Sequence, residues 1–313
     1  MEKSEIENPE NQRFLGLQIS EQEISNYRKA GIIARKVKEY AKSIIKPQVK
    51  LLEIAEKIEN KIEELGGKPA FPCNLSINEI AAHFTPAYND ETLASGLLKI
   101  DFGVSCDGFI ADLAFSLDLE NNEENKKLIL ASEKALQEAL EYVKSKKEIK
   151  LNEIGEKIHK AITSFGFSPI RNLSGHELGK YKVHAGLTIP NYDNNNSTKL
   201  EEGAYAIEPF ATLGQGIVYD SSPSGIYRFE KRAGVRDLLA REILNFIEQE
   251  YKTLPFCERW IIKKFGERAK ISLSFLEQAQ AIYQYPQLVE KSHKKVSQAE
   301  NTILITDRVE VLI

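Results

Sequence analysis

Cysteine is scarce: Cys73, Cys106 and Cys257 are the only three in 313 residues. An odd number, widely spaced, rules against a disulfide framework and suits free thiols in a reducing cytoplasm. Asn-x-Ser/Thr triplets such as Asn74-Leu75-Ser76 then carry no glycosylation meaning. No apolar run reaches the length of a membrane span and no signal-peptide core follows Met1, so no membrane association is expected. Neither sign of charge dominates: 42 Lys and Arg against 46 Asp and Glu leave −4. That balance implies no global pull toward nucleic acid or a lipid surface. What remains is enough chain for one large α/β domain or two smaller ones, each able to bury a core.

Residues 1–20 are polar, lack sustained periodicity and include Pro9, so they are expected to form a mobile extension ahead of a folded unit at 21–313. Apolar positions from Ile24 to Ile45 follow a helical spacing that stops before Pro47. An internal repeat comes next. Lys50-Leu-Leu-Glu-Ile-Ala-Glu-Lys-Ile58, with Ile62 and Gly66, recurs as Lys150-Leu-Asn-Glu-Ile-Gly-Glu-Lys-Ile158, with Ile162 and Gly166. A long helix precedes each copy, the second at roughly 124–145, and an Asn-Leu-Ser tripeptide follows each, at 74–76 and 172–174. The shared order favours duplication over chance likeness of two amphipathic helices, and two copies are too few for a solenoid. The expected architecture is two α/β halves face to face, with a site at their junction. Strand-like alternation covers about 71–118, 170–220 and 296–311. Between 226 and about 290 the texture turns helical, with a stripe at Val235–Ile247, a helix near Trp260–Phe265 and another at Phe275–Tyr283. This reads as a helical insertion late in the second half. Arg259, Lys263, Lys264, Arg268 and Lys270 form no dense recognition face, so nucleic-acid binding is not favoured.

The stretch that carries most chemistry is Lys99–Asp112, which alternates like a strand on both sides of a turn signal at Asp107-Gly108. Folding about that turn sets Asp101 and Asp112 opposite each other or one diagonal step apart, ~4.5–8 Å between side chains. Flanked by Ile100, Phe102, Ile110 and Ala111, two buried acids need a neutralising cation, unless one of them is a turn residue in water. Partners are available in the second half. His176 follows Asn172-Leu-Ser-Gly, His184 precedes Ala185-Gly186, and Glu208 and Glu300 each interrupt an apolar strand. A single such acid is explained as a guard against edge pairing; four with a histidine are not. Oxygen-rich ligation with one imidazole suits Mn, Fe, Co or Zn, and four carboxylates suffice for two ions. His83 reads as an imidazole inside an apolar strand, either a core histidine or part of the site. His159 aligns with Glu59 of the repeat on what reads as a solvent face, and His293 lies in a basic segment.

Ala82-His-Phe-Thr-Pro86, Lys99-Ile-Asp-Phe-Gly103, Asn172-Leu-Ser-Gly-His176, His184-Ala-Gly186, Ala206-Ile-Glu-Pro-Phe210 and Gln298-Ala-Glu300 together resemble the motif series of methionine aminopeptidases, in the order of the archaeal and eukaryotic type 2 enzymes. The resemblance runs from about residue 24 to the C-terminus. It implies the pita-bread fold, with residues 21–313 as the catalytic domain, and removal of N-terminal methionine from nascent proteins when the next residue is small. It further implies two divalent ions (Co, Mn, Fe or Zn) held by Asp101, Asp112, His176, Glu208 and Glu300. Asp112 and Glu300 would bridge, Asp101 would complete one ion, and His176 and Glu208 the other. Glu208 would shuttle the proton of the attacking water, His83 and His184 would hydrogen-bond the scissile amide or its tetrahedral intermediate, and Phe71 and Tyr285 would line the methionine pocket. A monomer in the cytoplasm, docking on ribosomes in some settings, is the partner pattern implied. Ala87-Tyr-Asn-Asp90 departs from the family's usual Asn and Gly after Thr-Pro, which concerns the entrance loop. A peptidase removing Xaa-Pro ends would usually need a further N-terminal domain. A non-catalytic adaptor of the same fold would typically lack ligands that are all present here.

Overall fold

The computed structural model describes residues 19–313. The expected extension at 1–20 therefore lies, but for its last two residues, outside the described residues. The first half opens with helix α1 (Glu21–Ile44), whose start is set by a reciprocal cap between Ser20 and Glu23. Helix α2 (Leu51–Glu64) follows, then strands β1 (Lys68–Pro69), β2 (Asn74–Ile77), β3 (Ile80–Ala82), β4 (Leu97–Cys106) and β5 (Phe109–Asp118). The second half repeats the plan with α3 (Glu123–Ser145), α4 (Leu151–Ser164), β6 (Ser168–Pro169), β7 (Ser174–Leu178), β8 (Thr188–Pro190), β9 (Gly203–Ile207) and β10 (Phe210–Thr212).

The duplication extends to detail. Gly66 and Gly166 end the two equivalent helices at φ 82° and 84°, a left-handed conformation that glycine adopts without strain. The first residue of each helix is tied to a distant loop in the same way, Leu51 N donating to Thr92 O at 2.9 Å and Leu151 N to Thr198 O at 3.0 Å. In each half the helices shield one face of a sheet. Ile33, Val37, Ile54 and Ile58 pack on Ile100, Phe102 and Val104, while Leu128, Ile154 and Ile158 pack on Ile207 and Ile303.

After β10 the chain runs into β11 (Val218–Phe229), then α5 (Leu238–Glu250), β12 (Phe256–Cys257), α6 (Glu258–Phe265), α7 (Ala269–Gln278) and β13 (Ile282–Glu290), and closes with β14 (Val296–Gln298), β15 (Asn301–Ile305) and β16 (Val309–Val311). The three helices form a small core of their own around Ile243, Ile247, Phe256, Ile261 and Leu273. One helical expectation is corrected. The run at Phe275–Tyr283 is split, because α7 stops at Gln278 and Gln280 turns at φ 54°. From Ile282 the chain instead pairs with β11 as a bent ribbon with two register shifts. Among the described residues no helix is long and apolar enough to cross a membrane.

The halves join where β15 meets the first hairpin. Glu300 N donates to Ala114 O at 2.9 Å, and Thr302 Oγ1 both accepts from Asp112 N at 2.7 Å and donates to Asp112 O at 2.8 Å. A site built on this seam inherits the rigidity of both sheets.

Candidate metal centre

The β4–β5 hairpin closes through a two-residue turn, Asp107 at φ 51° and Gly108 at φ 89°, the left-handed pair that matches the twist of its strands. This turn sets the register: Asp101 pairs with Ala114, and Gly103 with Asp112. The two acids are thus one diagonal step apart on one face, each opposite a small residue. Gly103 is required there by contact, since a Cβ would lie 2.6 Å from Phe71 Cε1.

The remaining acids occupy strand breaks. β9 pairs with β15 up to Ile207↔Asn301, and β10 pairs with β14 from Phe210↔Gln298. Glu208 and Glu300 fall in the gap between these pairings. Each was expected to interrupt a strand; each instead ends one strand pair and precedes another, where the chain passes between sheets. His176 lies within β7, opposite Ala206. Gly175 before it is required too, because a Cβ would sit 2.3 Å from Ala206 O.

These residues converge. Ligand atoms of Asp112, His176 and Glu300 lie within 4.8 Å of one another, as do those of Asp101, Glu208 and Glu300. Glu300 belongs to both groups. Glu208 stands beside Asp101, and Gln298 Nε2 ties the two, donating to Asp101 Oδ2 at 3.1 Å and to Glu208 Oε1 at 2.7 Å. His176 Nε2 is 3.8 Å from Asp112 Oδ2. Burial raises the pKa of Asp101 to about 7. Burial first, and neighbouring acids second, hold Asp112, Glu208 and Glu300 well above the usual carboxylate range. Burial drives His176 down to about 3, so its imidazole is neutral at physiological pH, the form that ligates a metal. Asp112 Oδ1 and Glu300 Oε1 are buried without a hydrogen-bond partner. Oxygens of that kind are costly in a protein interior, and a divalent cation is the partner that this donor set fits.

Beside the acids opens a cavity of about 420 Å³ whose lining includes Phe71, His83, His184, Ile226, Tyr285 and Leu288. Phe71 and Tyr285, the two residues that the resemblance implies for a methionine pocket, both line this cavity. His83 is not within a strand, as expected, but follows β3 at φ 62°. Its Nδ1 is 3.1 Å from Pro286 O. A carbonyl only accepts, so Nδ1 carries the proton, and burial lowers the ring's pKa and keeps it neutral. The free Nε2 is therefore an acceptor. Burial also takes His184 down to about 4, and its ring meets that of His176 edge-on with centroids 4.5 Å apart. His159 and His293 are exposed, away from the site. Gln298, Asn74, Ile226 and Leu288 went unassigned in the sequence. The Gln298-Ala-Glu300 motif was the one available signal for Gln298; Asn74 looks like an ordinary strand residue, and Ile226 and Leu288 fall in the stretch expected to be helical.

The chain belongs to metallopeptidase family M24, whose family model matches residues 25–307. Within it, the chain is 46% identical over 291 residues to a methionine aminopeptidase of Methanocaldococcus jannaschii, covering 91% of this chain and 97% of that protein. Among solved structures, the methionine aminopeptidase of Rickettsia prowazekii has the same pita-bread fold at a TM-score of 0.68 and 21% identity, over 95% of this chain and 98% of that one. A thermophilic Arx1 matches at a TM-score of 0.78 and 17% identity, over 94% and 91% of the two chains.

Proposed function

We propose that this chain removes the N-terminal methionine of nascent polypeptides whose second residue is small, with residues 21–313 acting as one catalytic unit. Membership of the M24 metallopeptidases and the 46% identity support the reaction. The observation that carries the chemistry is a cluster of four carboxylates and one neutral imidazole, Asp112, Glu300 and His176 buried and Asp101 and Glu208 half-buried, in a cavity that Phe71, Ile226 and Leu288 also line.

Asp101, Asp112, His176, Glu208 and Glu300 would hold two divalent cations, Asp112 and Glu300 being shared between them. Bound there, the cations would supply Lewis acidity and make water a usable nucleophile near neutral pH. The protein's own groups do the rest. Glu208, whose carboxyl pKa is held above the usual range by burial and neighbouring acids, is placed to take and return a proton. His83, protonated at Nδ1, presents Nε2 to accept the N–H of the scissile amide. His184 is placed to donate to the developing oxyanion. Phe71, Ile226, Leu288 and the ring of Tyr285 offer the thioether apolar contact within the cavity.

Metal analysis combined with cleavage of a Met-Gly and a Met-Glu peptide tests this reading. Bound divalent metal with release of methionine from the first peptide only is expected. A preference for a Xaa-Pro peptide, or no cleavage by the metal-loaded protein, would overturn it.

A further inference from the structure

Glu59 and Arg259 lie 200 positions apart in the chain, and both are buried, at 6% and 1% exposure. They form a two-pronged pair, Arg259 Nη1 to Glu59 Oε2 at 2.7 Å and Nη2 to Oε1 at 2.8 Å. Glu59 also accepts from Trp260 Nε1 at 2.9 Å and from Cys73 N at 3.1 Å. Arg259 also donates through Nε to Pro86 O at 3.2 Å and through Nη2 to Thr85 Oγ1 at 3.4 Å. Thr85 Oγ1 in turn donates to Cys73 O at 2.8 Å. A single ion pair thus fastens four segments: α2, the start of α6 in the helical insertion, the chain at Cys73 and the chain at Thr85 and Pro86.

The last two of these segments carry Phe71 and His83, both of which line the cavity. We infer that Glu59 and Arg259 are positioning residues, through which the insertion sets the placement of Phe71 and His83 and thereby the selectivity for methionine. The inference rests on the function proposed above.

Three physical points support it. A buried ion pair adds little net stability compared with an apolar pair of the same size, because desolvation offsets attraction. Its effect is therefore geometric, and a bidentate guanidinium–carboxylate fork is the most directional pair available. Secondly, His83 sits at φ 62°, a strained conformation for a non-glycine residue, which persists only where the surroundings enforce it. Pro286 O holds its ring, and Arg259 holds the Thr85 hydroxyl and the Pro86 carbonyl, two and three residues on. Thirdly, the seam has a second rung one helical turn away. Lys263 of α6 meets Glu56 of α2 at 2.8 Å, but in solvent, where such pairs contribute little. The buried rung is the one that fixes distance.

The duplication isolates the role. The position equivalent to Glu59 is His159, exposed at the same point of α4, where no insertion docks. The two repeat copies differ where one of them receives the insertion.

Glu59→Gln/Arg259→Met tests the inference, since it removes both charges together and leaves Gln to accept from Cys73 N. Single variants strand a buried charge and fold poorly; Arg259→Lys keeps the charge and loses the fork. The double variant should bind divalent ions as the wild type does, because none of the five proposed ligands touches the pair. Its kcat/KM on a methionyl-glycyl peptide should fall ~10–10²-fold, the range expected from a displacement of about 1 Å, and its preference over a leucyl-glycyl peptide should narrow. Arg259→Lys should fall between. A histidine-ring NMR spectrum gives a readout independent of turnover: the His83 resonance should move and that of His176 should not. An unmoved His83 resonance, or wild-type kcat/KM and preference, overturns the inference. Failure of the wild type to cleave the methionyl peptide instead overturns the proposed function, and the His83 resonance still decides the placement.

Discussion

Gly103→Ala should cripple methionine recognition without touching a proposed ligand. Gly103 lies on the site face of β4, directly opposite Asp112. A Cβ there would stand 2.6 Å from Phe71 Cε1 and 2.9 Å from Ala70 Cβ. Non-bonded carbons rest at ~3.5–4.0 Å, so the ring must retreat by about 1 Å. Ala70 is fully buried behind it, and the open side of the ring is the slot. The extra methyl therefore reaches the substrate through Phe71, narrowing the space meant for the thioether. Overpacking of this kind costs ~1–3 kcal/mol of stability, and a displacement of that size costs ~10²-fold in rate. The assay is kcat/KM on a methionyl-glycyl peptide, alongside metal content and a thermal melt. The expected result is a folded, metal-loaded protein with kcat/KM down by about two orders of magnitude, part of which returns on adding Phe71→Leu. A folded Gly103→Ala protein with wild-type kcat/KM would refute the reasoning, for Phe71 would then not bound the slot.

Asp112→Ala or Glu300→Ala should lose both activity and tight uptake of a second cation; full activity in either, once metal is restored, counts against a paired site. His83→Ala and His184→Ala should each lower kcat by ~10²–10³-fold with metal content unchanged; loss of metal from His184→Ala would make that residue a ligand. Divalent metal should raise Tm more at about pH 8 than at about pH 6. The sign follows from Asp101, whose pKa in the folded state is raised to about 7. The folded metal-free protein holds this proton where the unfolded chain has released it, so stability is lost as pH rises from the unfolded value, ~3.9, through about 7. Cations displace that proton and compete best where it is already gone. A Tm gain that does not vary with pH would contradict this account.

Local signals carried much of the fold. Asp107-Gly108 specifies a two-residue turn, and the turn alone determines that Asp101 and Asp112 are diagonal neighbours. The glycine stop and helix pattern repeated at 50–66 and 150–166 read correctly as duplication for the same reason, since capping and periodicity are properties of a dozen residues. The misreadings share another cause. Glu208 and Glu300 lie in apolar surroundings that look like continuous strands, because transfer of a strand pair from one sheet to the next leaves little trace in composition. His83 looks like a strand residue until its left-handed turn is seen, and that turn is enforced by groups remote in sequence, Pro286 and Arg259.

Glu59 shows this limit most sharply. Helical periodicity assigns it to the face away from its own sheet, which is correct, and from there to solvent, which is not. That face is covered by α6, a segment 200 residues later. Its partner was not singled out in the sequence either: Arg259 stands among scattered basic residues, yet it is among the most buried side chains of the protein. A charged residue on an outward helix face is therefore ambiguous in a chain that carries a late insertion. In such a chain the repeat itself supplies a further test, because a position that is acidic in one copy and not in the other marks where the two copies meet different neighbours. Glu59 against His159 is that kind of difference. It points to a place where the symmetry of the duplicated fold gives way to the asymmetry that a one-sided substrate slot requires.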